Sequence, residues 1–440
     1  MRSMQTVLLL SLLLSTGNIT TATGSTLPES LTVQAAVSFA LRGNPDNAIA
    51  QQRIAQAKAY AAMVSSANYP VFNLSAEYGQ TNNPMYSFGN ILNQGEFDDT
   101  IDFNDPGRTD NLQVKAAVNY RLYNGGQNSA SKTSAKAHVA AMESRLIGVH
   151  QQLSFEVVKT YHAVVQAKEM VKVHQQALDS ISASFLVGKA KYDLGDLLKQ
   201  DLLNLELQQS TAREDLIIAR HNLELSKRSL LNLLGEKDGT IKLNEQDSIE
   251  QLPPENKNYL NRSELITLQR LKDAAVANVK KAYGYKRPKI DTFASYQFDN
   301  GWELEGNGDS WIAGVRVNYN LYDGHNGSSK IAIARTQLQE LEARINKTEL
   351  ALSLDIQQAD LYYQQANERL TITGKMVGVA KEATRLARIR FKEGVILSSE
   401  LIDYETRLSD AQARHLNANA SHQVAIANLR RACGLDQFSR

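Results

Sequence analysis

Four stretches of the chain alternate apolar and polar residues with a period of two, and they stand in two pairs. In the first, Phe72, Leu74, Ala76 and Tyr78 share one face, while Asn73, Ser75 and Glu77 share the other. In the second, Leu112, Val114, Ala116, Val118, Tyr120 and Leu122 alternate with Gln113, Lys115, Ala117, Asn119 and Arg121. Trp311, Ala313, Val315, Val317, Tyr319 and Leu321 repeat the pattern, and Ile290 to Phe298 is a fourth, weaker case. These runs predict strands at 71–79, 112–122, 290–298 and 311–321, each about 9–11 residues, the length of a membrane-crossing barrel strand. Tyr120, Tyr123, Tyr319 and Tyr322 gather at strand ends, as interfacial aromatic girdles do.

Elsewhere the pattern is helical. No proline stands between Pro106 and Pro253, or after Pro288, and both stretches are rich in Ala, Leu, Gln, Glu, Lys and Arg. Gln127 to about Tyr192 is roughly 65 residues, or about 100 Å of helix, and Leu197 to Leu234 adds roughly 60 Å more. The break between them, Tyr192-Asp193-Leu194-Gly195, ends in a helix-stopping glycine. Phe391-Lys392-Glu393-Gly394 repeats it.

The chain is two copies of one unit. VNYRLYNGG from Val118 recurs as VNYNLYDGH from Val317, an offset of 199 (317 minus 118), and that register holds from residue 118 to residue 235. Upstream, Gln51 matches Gln269, Pro70 matches Pro288 and Tyr78 matches Tyr296, at an offset of 218 (296 minus 78). The first copy therefore carries 19 extra residues (218 minus 199) between its strands. Rigid helices cannot absorb an insertion, whereas a loop can. The organisation read from this is a first repeat over 25–235 with its hairpin tip near Gly195, a polar joint over 236–262, and a second repeat over 263–440 with its tip near Gly394.

Residues 1–24 read as a secretory signal: Arg2, a short apolar core from Val7 to Leu14, and Ala22-Thr23-Gly24 as a small-residue cleavage site. No other segment approaches the roughly 20 apolar residues of a membrane helix. Four strands cannot close on themselves, and open edges are not tolerated in lipid. Several chains must pool their strands: two would give eight, three would give twelve.

Composition removes other classes. The net charge is +1 over 440 residues, so no nucleic acid partner is implied. Cys433 is the only cysteine and reads as core packing. His138, His150, His162 and His174 recur every 12 residues and so walk around their helix instead of sharing a face. No HExxH, P-loop, GxGxxG after a strand or GxSxG occurs, so no catalytic residue, metal site or cofactor is expected. Glu96, Asp98, Asp99, Asp102 and Asp105 read as a solvated extracellular loop, and Asp299 to Asp309 as its shorter counterpart. The rival to a shared membrane barrel is a periplasmic or surface coiled-coil protein without a pore.

Several of these segments together resemble the TolC family of outer-membrane efflux and secretion proteins. They are LTVQAAVSFALRGNPDNAIAQQRIAQAKA, NYPVFNLSAEY, VNYRLYNGGQNSASKTSAKA and KYDLGDLLKQDLL, then VNYNLYDGHNGSSKIAIA and RFKEGVILSSELID. The resemblance covers nearly all of the chain beyond the signal. It implies a homotrimer whose twelve-stranded β-barrel in outer-membrane lipid, four strands per chain, continues into a periplasmic α-barrel. It also implies a periplasmic adaptor and an inner-membrane RND or ABC transporter as partners.

By the same resemblance, acidic residues six and nine positions after the second tip glycine, Glu400 and Asp403, ring the periplasmic aperture, and Asp201 matches the first of them in the first repeat. Rings of carboxylates favour cations. The resemblance also makes Lys191, Gly195, Arg390 and Gly394 the adaptor-docking tips, although Lys191 and Arg390 read equally as last-turn cations favoured by the helix dipole. The family's Tyr three before, and Arg two after, the second tip glycine are here Phe391 and Ile396, so the aperture latch is expected to differ.

Overall fold

A computed structural model describes residues 30–245 and 251–438. The signal segment lies outside the described residues. Two helices open the chain, α1 (Val33–Gly43) and α2 (Pro45–Ser66). Asn44 separates them: its side chain accepts from Asp46 N at 2.8 Å, and Pro45 takes the first helical position, where a missing N–H costs nothing. Strand β1 (Val71–Thr81), helix α3 (Pro84–Asn93) and strand β2 (Thr109–Tyr123) follow, then α4 (Gln127–Asp193) and α5 (Lys199–Leu234). The second half runs α6 (Ser263–Tyr283), β3 (Lys289–Asn300), β4 (Asn307–Asn318), α7 (Asn326–Lys392) and α8 (Ser398–Ala432). Helices α4 and α7 each hold 67 residues, about 100 Å at 1.5 Å per residue. No helix among the described residues is long and apolar enough to cross a membrane.

The four strands form one antiparallel sheet in the order β1-β2-β3-β4. The sequence puts an entire helical hairpin between β2 and β3, yet the two pair residue for residue, Val118 with Ala294 and Ala116 with Tyr296. Register then fixes the faces. Phe72 pairs with Val118, and Tyr296 with Trp311, so most apolar residues of the four strands fall on one side, with Val71, Phe293 and Ile312 as exceptions on the other. Gln113, Lys115, Asn119, Asp291, Ser295, Gln297 and Asp299 fall on the other, where Arg121 holds Asp291 at 2.6 Å. Phe72, Leu74, Trp311 and Val315 are exposed in the single chain. Strands β1 and β4 each keep one unpaired edge.

Two expectations need correction. The fourth strand runs from Asn307 to Asn318, earlier than 311–321, so Leu321 and the two tyrosines at 319 and 322 lie beyond it. Its first residues pair with Asn300 and Asp299, and that pairing outweighs the poor alternation of Asn307-Gly308-Asp309. The loop between β1 and β2 contains a helix, started by the Asn83 side chain accepting from Met85 N at 3.1 Å ahead of Pro84.

Helix α4 is the spine. In its upper half α2 and α6 flank it, and lower down α5 and α8 do. A core at mid-height gathers Val37 and Phe39 of α1, Val157, Val158 and Tyr161 of α4, and Leu230 and Leu234 of α5. Tyr161 OH donates to the carbonyls of Leu31 and Asn244 at 3.2 and 3.1 Å, binding the joint to the spine. Across the joint, buried Arg262 reaches Glu264 at 2.8 Å and Asp355 at 2.7 Å. Burial opposes the charge of its guanidinium, and the two carboxylates more than offset that, holding it charged.

Candidate functional site

The two helical hairpins end at the same level, far from the sheet. Each tip closes by one hydrogen-bond pattern. Gly195 sits at φ +84° and Gly394 at φ +77°, the left-handed region that glycine enters without steric cost. Gly195 N donates to Tyr192 O at 3.0 Å and Asp196 N to Lys191 O at 2.8 Å. Gly394 N donates to Phe391 O at 3.0 Å and Val395 N to Arg390 O at 2.8 Å. Both are Schellman closures, which satisfy the last carbonyls of α4 and α7. Lys191 and Arg390 therefore hold the same position in both tips, with their carbonyls inside the turn and their charges near a helix C-terminus.

The side chains are not equivalent. The Lys191 ammonium lies 5.8 Å from the centroid of the Phe391 ring, and a β-carbon on Gly394 would sit 3.3 Å from it. Lys191 thus bridges the first tip to the second, whereas Arg390 stays exposed. Phe391 and Ile396 are 3% and 8% exposed. They share an apolar cluster with Ile181, Leu205, Ala387 and Leu401, at the point where the two hairpins meet. Gly188 lets them approach: a β-carbon there would lie 2.5 Å from Leu205 Cδ1.

Asp201 and Glu400 occupy matching first-turn positions of α5 and α8, neither of which has a side-chain cap, so each carboxylate faces a helix N-terminus. Asp201 is half-buried and accepts a hydrogen bond from the hydroxyl of fully buried Ser398, across the hairpins. Glu400 is exposed. Asp403 is exposed too and pairs with Arg407 at 2.8 Å one turn on. The geometry brings Lys191, Phe391 and Gly394 together and Asp201 to Ser398; Glu400, Asp403 and Arg390 stand free of that contact.

Sequence reasoning missed a clamp just above the tips. Arg388 of α7 holds Glu405 of α8 and also donates to Ser180 Oγ of α4 at 3.0 Å. Glu405 is the main cause holding the Arg388 guanidinium above its ordinary range. The only sequence signal was distance from the tip: 388 and 405 flank Gly394 and so face each other once the hairpin closes.

Around the tips, Leu194, Leu198, Val395 and Leu397 are all more than half exposed, an apolar rim that nothing among the described residues covers.

The profile of a family described as outer membrane efflux protein matches residues 36–236 and 259–435. The chain belongs to the outer membrane efflux protein family. The outer membrane efflux protein BepC of Brucella suis biovar 1 is 22% identical over 324 residues, covering 72% of this chain and 70% of its own. The cobalt-zinc-cadmium resistance protein CzcC of Cupriavidus metallidurans is 21% identical over 327 residues, covering 72% and 76%. The solved structure of CusC superposes with a TM-score of 0.81 at 17% identity, covering 92% of this chain and 93% of that one.

This efflux protein is an exit duct of the outer membrane that extends into the periplasm. Its fold is that of the trimeric channels: four strands per chain make twelve in the trimer, closing a β-barrel continuous with a barrel of helices. The free edges of β1 and β4 are what closure requires. The apolar sheet face meets lipid, the polar face lines the lumen, and the pore-less coiled-coil reading falls. The family is one of channel proteins.

Proposed function

We propose that the two tips form the periplasmic aperture of this duct and dock a periplasmic adaptor, which couples it to an inner-membrane RND or ABC transporter. The duct itself performs no catalytic step. The observation that carries this reading is the exposed apolar rim of Leu194, Leu198, Val395 and Leu397 on two glycine-closed turns. Apolar groups held in water at the end of a long rigid helix fit a surface kept for a partner. Lys191, Gly195, Arg390 and Gly394 shape that rim.

In the closed trimer, Glu400 and Asp403 ring the mouth and favour cations. Asp201 serves the same aperture in another way: it accepts from Ser398 and so ties the first tip to the second at the rim.

Photo-crosslinkers at Leu198 and Leu397 in cells test the docking. The expected product is one adduct of adaptor size from both positions, absent from a crosslinker at exposed Glu143 far up α4. Equal adducts from all three positions would remove the docking assignment. Conductance in planar bilayers tests the aperture: Glu400→Ala with Asp403→Ala should lower the cation preference. An unchanged reversal potential under a salt gradient would take those two residues out of the mouth.

A further inference from the structure

The segment between β1 and β2 is a folded body, and it lies on the lumen side of the sheet. Register assigns Thr109 and Asn111 of β2, Asp299 of β3 and Gly308 of β4 to the polar face. Helix α3 rests on these residues. Asn90 Nδ2 donates to Thr109 Oγ1 at 2.9 Å, and Gln94 Nε2 donates to Asn111 Oδ1 at 3.1 Å and Asp110 O at 2.7 Å. A β-carbon on Gly308 would come within 2.2 Å of the Asn93 carbonyl oxygen, so the end of α3 touches the backbone of β4. Beneath it Asp299 is 1% exposed, although it stands on the face that lines a water-filled duct. Its carboxylate accepts from Asn111, Gln113 and Gln297.

The rest of the segment is fastened as well. Buried Ser87 donates to Thr81 O and Gly107 O. Phe88 packs on Phe97 and Phe103, with centroids 5.8 and 4.6 Å away. Arg108 pairs with Glu303 of the β3–β4 loop at 2.9 Å. A loop built to stay out in solvent has no use for these anchors. This one is anchored to β2, to β4 and to the β3–β4 loop at the outer end of the barrel, and it presents Met85, Tyr86 and Leu92 exposed.

We propose that the three inward-folded caps of the trimer meet in the outer mouth and narrow it, giving the duct a size-limiting exit distinct from its periplasmic aperture. The proposal rests on the twelve-strand closure described above. Its occupant for the bare face of α3 is the same helix of the other two copies, because each cap lies on the inner face of its sheet and so inside the single lumen that three chains enclose.

Two measurements test it. In the first, Ser295→Cys places a thiol on the lumen face halfway along β3, and whole cells are treated with a small charged maleimide or a large polyethylene-glycol maleimide. Glu305→Cys, exposed outside the cap, reports that both reagents react. With the cap intact, Ser295→Cys should take the small reagent and exclude the large one. With residues 84–106 replaced by a short Gly-Ser linker, or with Gly308→Val pushing the cap off β4, it should take both. Labelling by the large reagent with the cap in place overturns the proposal, as does its exclusion after the cap is removed.

In the second, Met85→Cys leaves the cap otherwise whole. Mild oxidation should join two copies within the trimer. Recovery of only uncrosslinked chains shows that the caps do not meet. Heat-modifiable trimers on gels report closure of the barrel separately, so failure of the cap and failure of the trimer give different results.

Discussion

The guanidinium of Arg388 holds the carboxylate of Glu405 through two hydrogen bonds of 2.5 and 2.7 Å, the fork geometry that makes such pairs strong. The two partners differ in their access to water: the Glu405 side chain is 10% exposed and that of Arg388 is 43% exposed. The pair joins α7 to α8, and Ser180 extends the grip to α4, so it holds the second hairpin against the first just above the mouth.

That asymmetry orders two variants. Arg388→Ala strands a nearly buried carboxylate, at a cost of about 1–3 kcal/mol. Glu405→Ala leaves an arginine that can turn to solvent, at a cost below about 1 kcal/mol. Both should raise single-channel conductance by loosening the mouth, and Arg388→Ala should lower the trimer's thermal dissociation temperature further. The reverse order of dissociation temperatures would refute the clamp.

Ala294 and Ser295 are neighbours on β3 with opposite surroundings: Ala294 pairs with Val118 and Ala313 on the apolar face, and Ser295 lies on the polar one. Lysine at the lipid midplane costs about 2–4 kcal/mol, while lumen positions tolerate charge. Ala294→Lys should therefore deplete heat-modifiable trimer from outer-membrane fractions, and Ser295→Lys should leave it at the parental level. Equal loss from both would mean that the face assignment is wrong.

Long-range order was legible where it rested on repetition. The 199-residue offset anticipates α4 and α7, because an ungapped match reflects helices of fixed length. The alternation in Leu112 to Leu122 shows β2 because one face meets lipid along its whole length. Helix α3 escaped notice although Asn83-Pro84 is a helix start, because Gly89, Asn90 and Asn93 are poor helix formers and the acidic residues that drew the reading begin beyond it, at Glu96. At the mouth, the resemblance pointed to Glu400, Asp403 and Asp201. The Arg388–Glu405 pair depends on how two antiparallel helices face each other, and side chains 17 positions apart carry no local pattern. Nor did the substitutions at 391 and 396 show that both residues turn inward and pack together.

That packing makes an apolar seam at the tips, at the two positions where a different latch was expected. Phe391→Ala would remove a buried ring, a change that costs about 3–5 kcal/mol in a well-packed core. The same change frees Lys191 from its aromatic partner. Conductance should rise, and Phe391→Leu, which keeps most of the apolar volume, should restore most of the parental value. If Phe391→Leu conducts as freely as Phe391→Ala, burial at this position is not what holds the mouth.

His162 lies beside Tyr161, with ring centroids 5.7 Å apart, where the joint segment crosses α4. Burial pushes its pKa from 6.5 down to about 4, against the opposing pull of Glu245, itself paired with Lys168 at 2.8 Å. The folded chain therefore keeps the ring neutral where the unfolded chain would protonate it. The contribution to stability is whole above pH 6.5 and is lost as the pH falls from there towards about 4. At 1.36 kcal/mol per pKa unit the loss is at most about 3 kcal/mol per chain. His162→Gln keeps a polar side chain that does not titrate. Its thermal dissociation temperature should change less between pH 6.5 and pH 4 than that of the parent, and the two should run parallel above that range. Parallel curves across the acid range as well would show that His162 already carries its proton in the folded duct.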